Sequence, residues 1–152
     1  MTEAAVRLKF QRRPAPVMAE HRPLYKICQV LLVLHLASRG GKSSLLRLHL
    51  FNWALKRADR GRQLKLASDT KVLNVTAWGF DPALAIALRY AIAEKLIRVV
   101  STGYELTDMG KLLAVDVTKD EAVFGVEKML LVAVGKNITE AMVDSVAKGW
   151  EA

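Results

Sequence analysis

Residues 94–114 read Glu94-Lys95-Leu96-Ile97-Arg98-Val99-Val100-Ser101-Thr102-Gly103-Tyr104-Glu105-Leu106-Thr107-Asp108-Met109-Gly110-Lys111-Leu112-Leu113-Ala114. Ile97-Arg98-Val99-Val100 and Tyr104-Glu105-Leu106-Thr107 are short runs rich in β-branched and aromatic residues. Ser101-Thr102-Gly103 between them is a three-residue turn with glycine, so the two runs are predicted to pair as a hairpin. Tyr104 and Leu106, two positions apart, face one side of that hairpin. Thr107 has the side chain of a helix cap, and Gly110 lets the helix after it approach the sheet closely. Upstream, Asp81-Pro82 is a strong helix start, with an acceptor at the cap and a fixed φ at the first position. That helix is expected to continue to Leu96, with Leu96 and Ile97 turned to the core.

Helix, hairpin and capped helix in this order resemble the third-helix-to-wing region of winged helix-turn-helix proteins. In those proteins an aromatic-x-Leu-Thr strand leads into a helix with a glycine three residues on. The implied fold class is mainly α with a small β-wing, a winged helix-turn-helix with an N-terminal arm and C-terminal helices. The arm covers residues 1–22, the winged-helix domain 23–116, and a C-terminal helical extension 117–152. In the arm, Val6-Arg7-Leu8-Lys9-Phe10 alternates like a short strand and Arg12-Arg13-Pro14-Ala15-Pro16 breaks regular structure. A first helix is expected over 23–38, opened by Pro23, ended by Gly40-Gly41, and apolar around nearly its whole circumference. A second, capped by Ser43 or Ser44, is expected over 45–58 and closed by residues 59–61. Residues 63–78 allow two readings: short strands at 64–67 and 72–77, or an irregular excursion. The helix after Thr107 is expected to reach Ala114, and two more are expected over 119–134 and 139–149.

The chain has 152 residues, 52% hydrophobic and 25% charged, enough for a sizeable core and slightly apolar for a small monomer. Its longest apolar stretch, 25–37, is interrupted by Lys26, Gln29 and His35 and is too short to span a bilayer. The N-terminus lacks the apolar run of a secretion signal, and a single cysteine, Cys28, gives no disulfide framework; the expected location is cytoplasmic, with no membrane contact. The net charge of +8 is unevenly spread: residues 1–65 hold 14 Lys and Arg against 3 Asp and Glu, and residues 66–152 hold 9 against 12. A basic surface from the N-terminal half is therefore expected to meet phosphate backbones or an acidic protein face, or simply to be solvated. Its candidates are Arg12, Arg13, Arg39, Lys42, Arg47, Lys56, Arg57, Arg60, Arg62 and Lys65. Phosphate contacts of this kind position a protein without reading sequence.

The helix after Pro82 is poorly equipped to read bases. Arg89, Glu94 and Lys95 are its only charges, it has no Asn, Gln, Ser or Thr to reach base edges, and the hairpin tip lacks Arg and Lys. Ala83, Ile86, Ala87 and Tyr90 are instead candidates for a protein interface. Gly41-Lys42-Ser43 has the end of a phosphate-binding loop, but the glycine required five residues before Gly41 is Leu36. His21, His35 and His49 have no ligand spacing. Cys28 and His35, seven apart on an apolar helix, read as a buried thiol and a satisfied core histidine. No metal site, cofactor or enzymatic centre is expected.

Residues 22–56, RPLYKICQVLLVLHLASRGGKSSLLRLHLFNWALK, and residues 78–100, WGFDPALAIALRYAIAEKLIRVV, with the wing after them, resemble the small middle component of bacterial ABC-three-component (ABC-3C) systems, which include the Lamassu anti-phage complexes. The resemblance covers roughly residues 22–114 and contains no catalytic motif. It implies a non-catalytic accessory subunit in antiviral defence, bridging an SMC/Rad50-like ATPase subunit and a nuclease-type effector subunit, with non-specific DNA near the basic half. The alternative is a stand-alone winged-helix DNA-binding transcriptional regulator.

Overall fold

The computed structural model describes residues 22–151. The N-terminal arm except its last residue, Arg22, lies outside them, and with it Arg12, Arg13 and His21. The described residues form seven α-helices and a three-stranded antiparallel sheet of order β1-β3-β2.

Helix α1, Pro23–Leu36, opens with proline in its first turn and is the centre of the molecule. Ile27, Val30, Leu31, Leu32, Val33 and Leu34 are all buried, as expected of a helix apolar on every side. It stops two residues short of the expected end. The Ser38 hydroxyl donates back to the Val33 carbonyl, and Gly40 and Gly41 turn the chain at positive φ into β1, Lys42–Ser43. Ser44 then caps α2, Leu45–Leu55, its Oγ accepting from the Arg47 N–H at 3.1 Å.

Residues 59–61 do not close α2, and 64–67 is not a strand. Both fall inside α3, Ala58–Thr70, with Asp59 in its first turn beside the positive end of the helix. A Cβ at Gly61 would sit 3.2 Å from the end of the Leu130 side chain of a later helix. Gly61, Leu64, Ala67 and Ser68 are buried and follow helical spacing, a pattern masked by the polar residues between them. Lys71, left-handed at φ 64°, ends α3. From there to Asp81 the chain is irregular, pinned by buried Leu73, Val75 and Trp78, whose indole N–H donates to the Leu46 carbonyl. The excursion reading holds here; Leu73 and Val75 alternate inward like strand residues but have no strand beside them.

Helix α4, Pro82–Ala93, is capped by Asp81, whose Oδ1 accepts from the Ala83 N–H at 3.0 Å. Because residues 58–70 are helical, α4 is the fourth helix rather than the third. Lys95 at φ 63° turns the chain out of it into β2, Ile97–Val100, which pairs with β3, Gly103–Leu106, in the register Ile97↔Leu106 to Val100↔Gly103. Strand β1 lies along the other edge of β3.

Thr107 caps α5, accepting from the Gly110 N–H and donating to the Lys95 carbonyl. This helix runs Asp108–Lys119, five residues beyond the expected end. A Cβ at Gly110 would overlap the Leu96 carbonyl, so glycine is what lets α5 lie against the head of β2. Helix α6, Gly125–Val134, begins later than expected because Asp120 ends α5 and Phe124 is left-handed at φ 54°. Helix α7, Glu140–Lys148, is capped by Thr139. Leu131, Val134, Ile138 and Val143 from this last segment share one buried cluster with α1 to α5.

Candidate interaction surfaces

Two expected surfaces, one basic and one apolar, come out differently. Arg47 is not on the basic surface at all. It is 3% exposed, its Nε donates to the Ile138 carbonyl at 2.7 Å, and its Nη1 and Nη2 donate to Ser38 Oγ and the Ala37 carbonyl. The guanidinium also stacks 4.6 Å over Phe51. It ties α2 to the end of α1 and to the segment before α7. Burial pulls its pKa down to about 10. The helical position of Arg47 is what turns it inward: Leu48, Leu50, Phe51 and Ala54 around it are all buried.

The remaining described cations divide into two groups. Around α3, most already have a carboxylate. Arg57 holds Asp59 through Nε and Nη2 at 3.0 and 3.1 Å, Lys65 holds Asp69 at 2.7 Å, and Lys56 holds Asp81 at 2.9 Å. Arg60 leans on the Trp53 ring and carbonyl, leaving Arg62 exposed. The local field there is weaker than the residue count implies. Arg39 and Lys42 sit apart, on the turn and strand beside the hairpin, with Lys42 3.8 Å from Glu105.

Asp81 organises a polar cluster that the sequence did not reveal beyond its role as a cap. Its Oδ2 receives Lys56 and Asn52 and lies 3.9 Å from the buried Lys26 ammonium, which itself donates to Asn52 at 2.7 Å. Burial alone would raise the Asp81 pKa; the donors from Lys56, Asn52 and the Ala83 N–H outweigh it and hold the carboxyl far below the usual range. The Asp81 N–H donates to His49 Nδ1 at 3.3 Å, so that nitrogen carries no proton. Burial lowers the His49 pKa against the opposing pull of Asp81, and Lys56 lowers it further. The cluster fixes where α4 begins.

Of the four α4 candidates, Ala87 is fully buried and Ala83 half-buried; they pack inward rather than outward. Ile86 and Tyr90 are 40% and 53% exposed. Beside them runs a groove of about 570 Å³, walled by Leu45, Phe80, Ile86, Ile92 and Tyr104. Phe80 is 65% exposed, held edge-on against His49, and was missed because it falls in the irregular stretch. Arg89 is the one charged side chain in α4. A second apolar surface lies on α6, which turns its charges inward. Glu127 accepts from the Tyr25 hydroxyl at 2.6 Å, and Lys128 donates to the carbonyls of Val117 and Asp120. Val126, Met129 and Val132 are left facing outward.

Cys28 is buried, and burial pushes its thiol pKa up. His35 is not a core residue: it is half-exposed in the last turn of α1, between Leu34 and Leu36, which pack on the core. Among the described residues no group of three His, Cys, Asp or Glu could hold a metal ion, and no helix is long and apolar enough to cross a membrane. Neither a protein-family model nor a curated protein nor a solved structure matches the chain.

Proposed function

We propose that the chain is a non-catalytic docking subunit built on a winged helix, which binds a protein partner through α4. The observation that carries this is the exposed face of α4: Ile86 and Phe80 line a concave, mostly apolar groove, Tyr90 is exposed on the same helix, and that helix bears a single charge, Arg89. Aromatic and aliphatic anchors around a pocket are what a protein interface uses, and a groove-reading helix needs amide and hydroxyl side chains that α4 lacks. A hairpin following α4 and packed on α1 and α5 supports the winged-helix reading. The outward apolar stripe of α6 supplies a second contact, which suits a subunit that bridges two partners. The resemblance to ABC-three-component middle subunits makes an SMC/Rad50-like ATPase and a nuclease-type effector the partners, and antiviral defence the setting.

Co-expression with the genes flanking its own tests this directly. The expected result is a complex with an SMC/Rad50-like ATPase that survives high salt, as an apolar interface does. A stable homodimer that binds one short operator far more tightly than random duplex would replace this reading with the regulator one.

A further inference from the structure

A separate cleft of about 490 Å³ lies where the end of α1, the turn after it, the hairpin and the start of α5 meet. It shares no lining residue with the α4 groove. Four basic side chains reach it from four places: His35 from α1, Arg98 from β2, Lys111 from the first turn of α5, and Lys136 from the loop before α7. The side chains of Lys111 and Lys136 are exposed and make no ion pair or hydrogen bond with the described residues. Arg98 is held to Glu105 through Nε alone, at 2.9 Å, so its two terminal nitrogens have donors to spare. A smaller hollow of about 360 Å³ adjoins it across Lys136 and adds Arg39 and Lys42.

The acids in this region are mostly engaged. Glu105 is shared between Arg98 and Lys42, and Glu140 accepts from the N–H and hydroxyl of Ser44. Asp108, in the first turn of α5, is the remaining carboxylate on the larger cleft. Unpaired ammonium groups held around one concave surface repel each other and attract an anion. Their positive field is felt at His35, whose pKa is lowered by burial first and then by Lys111 and Lys136. Three of the four side chains come from residues 66–152, the half with net negative charge, so the charge count alone pointed elsewhere.

We propose that this cleft binds a phosphate group, with Lys111, Lys136 and Arg98 as its ligands. Two ammonium point charges and a planar guanidinium fork suit a tetrahedral dianion or a phosphodiester. The phosphate is a free anion or part of a nucleic-acid backbone, and the two sources separate experimentally. The site is independent of the α4 interface, so either proposal can fail alone.

The test follows the His35 imidazole by NMR in the full-length protein, with His35→Gln to assign its signal. Besides Lys111 and Lys136, the charged groups on its cleft are Arg98, Glu105 and Asp108. Inorganic phosphate, added at ionic strength held constant with chloride, is expected to raise the His35 pKa by offsetting the two ammonium charges. The double variant K111A/K136A is expected to raise it without phosphate and to abolish the response; both side chains are exposed, so the fold is retained. A response to inorganic phosphate alone identifies a free anion. A response also to a short mixed-sequence duplex, lost steeply with added salt, identifies a backbone. No response to either, or one that persists in K111A/K136A, overturns the proposal.

Discussion

Replacing Arg47 with methionine separates a core cation from a surface one. The side chain donates to two backbone carbonyls, Ala37 and Ile138, and to the Ser38 hydroxyl, all out of contact with water. Methionine keeps most of the aliphatic volume but offers no donor. Two carbonyls then lose a charge-assisted partner, each costing about 1–3 kcal/mol when left unmade, while the Ser38 hydroxyl keeps its bond to Val33. Against this, the variant no longer keeps a guanidinium out of water, a relief of a few kcal/mol at most. The balance is a loss of about 2–4 kcal/mol. For a domain of this size that lowers Tm by roughly 5–15 °C. Arg62→Ala, on an exposed side chain, is expected to change stability by no more than about 0.5 kcal/mol. Urea unfolding of both, read by circular dichroism, decides the matter. An Arg47→Met protein as stable as Arg62→Ala would mean that Arg47 is not the staple described, and would return it to the basic surface.

Gly110→Ala places a methyl against the Leu96 carbonyl and is expected to cost about 2 kcal/mol despite the better helix former. Gly125→Ala meets nothing and is expected to be neutral or stabilising in the same urea unfolding. Acid is expected to weaken the fold in two stages. The lowered pKa values of His49 and His35 mean that the unfolded chain binds more protons, so stability present above about pH 6.5 declines as pH falls below it. Asp81, also lowered, adds a further loss as pH falls below about 4. Urea midpoints measured across this range in His49→Gln and wild type separate the two; a flat profile would contradict the buried cluster.

The hairpin and its flanking caps were legible because their signals are local. Asp81-Pro82, the glycine turn and the Thr107 cap each act on a neighbour within a few residues, and Gly110, which makes room for the Leu96 carbonyl, follows that cap directly in the pattern. Helix α3 was hidden for the opposite reason: Gly61 faces Leu130, nearly seventy residues on, and an isolated glycine reads as a break. The same limit governed the surfaces. Ile86 and Tyr90 were readable from helical spacing on an apolar helix, but that spacing also admitted Ala87, which tertiary packing buries. Arg47 looked like one basic residue among ten; its acceptors come from Ala37 and Ser38, just after α1, and from Ile138. The cleft joins residues 35, 98, 111 and 136, which no window along the chain brings together.

The most direct test of the proposed docking surface measures the affinity of the chain for the SMC/Rad50-like ATPase proposed as its partner, with and without the α4 anchors. Truncating an interface aromatic in a well-packed pocket costs about 2 kcal/mol or more, roughly thirtyfold in Kd. Ile86 and Tyr90 are exposed in the isolated chain, so their alanine variants are expected to melt like wild type while binding at least that much more weakly. Binding that is unchanged in Ile86→Ala/Tyr90→Ala would contradict the assignment of α4 as the docking face.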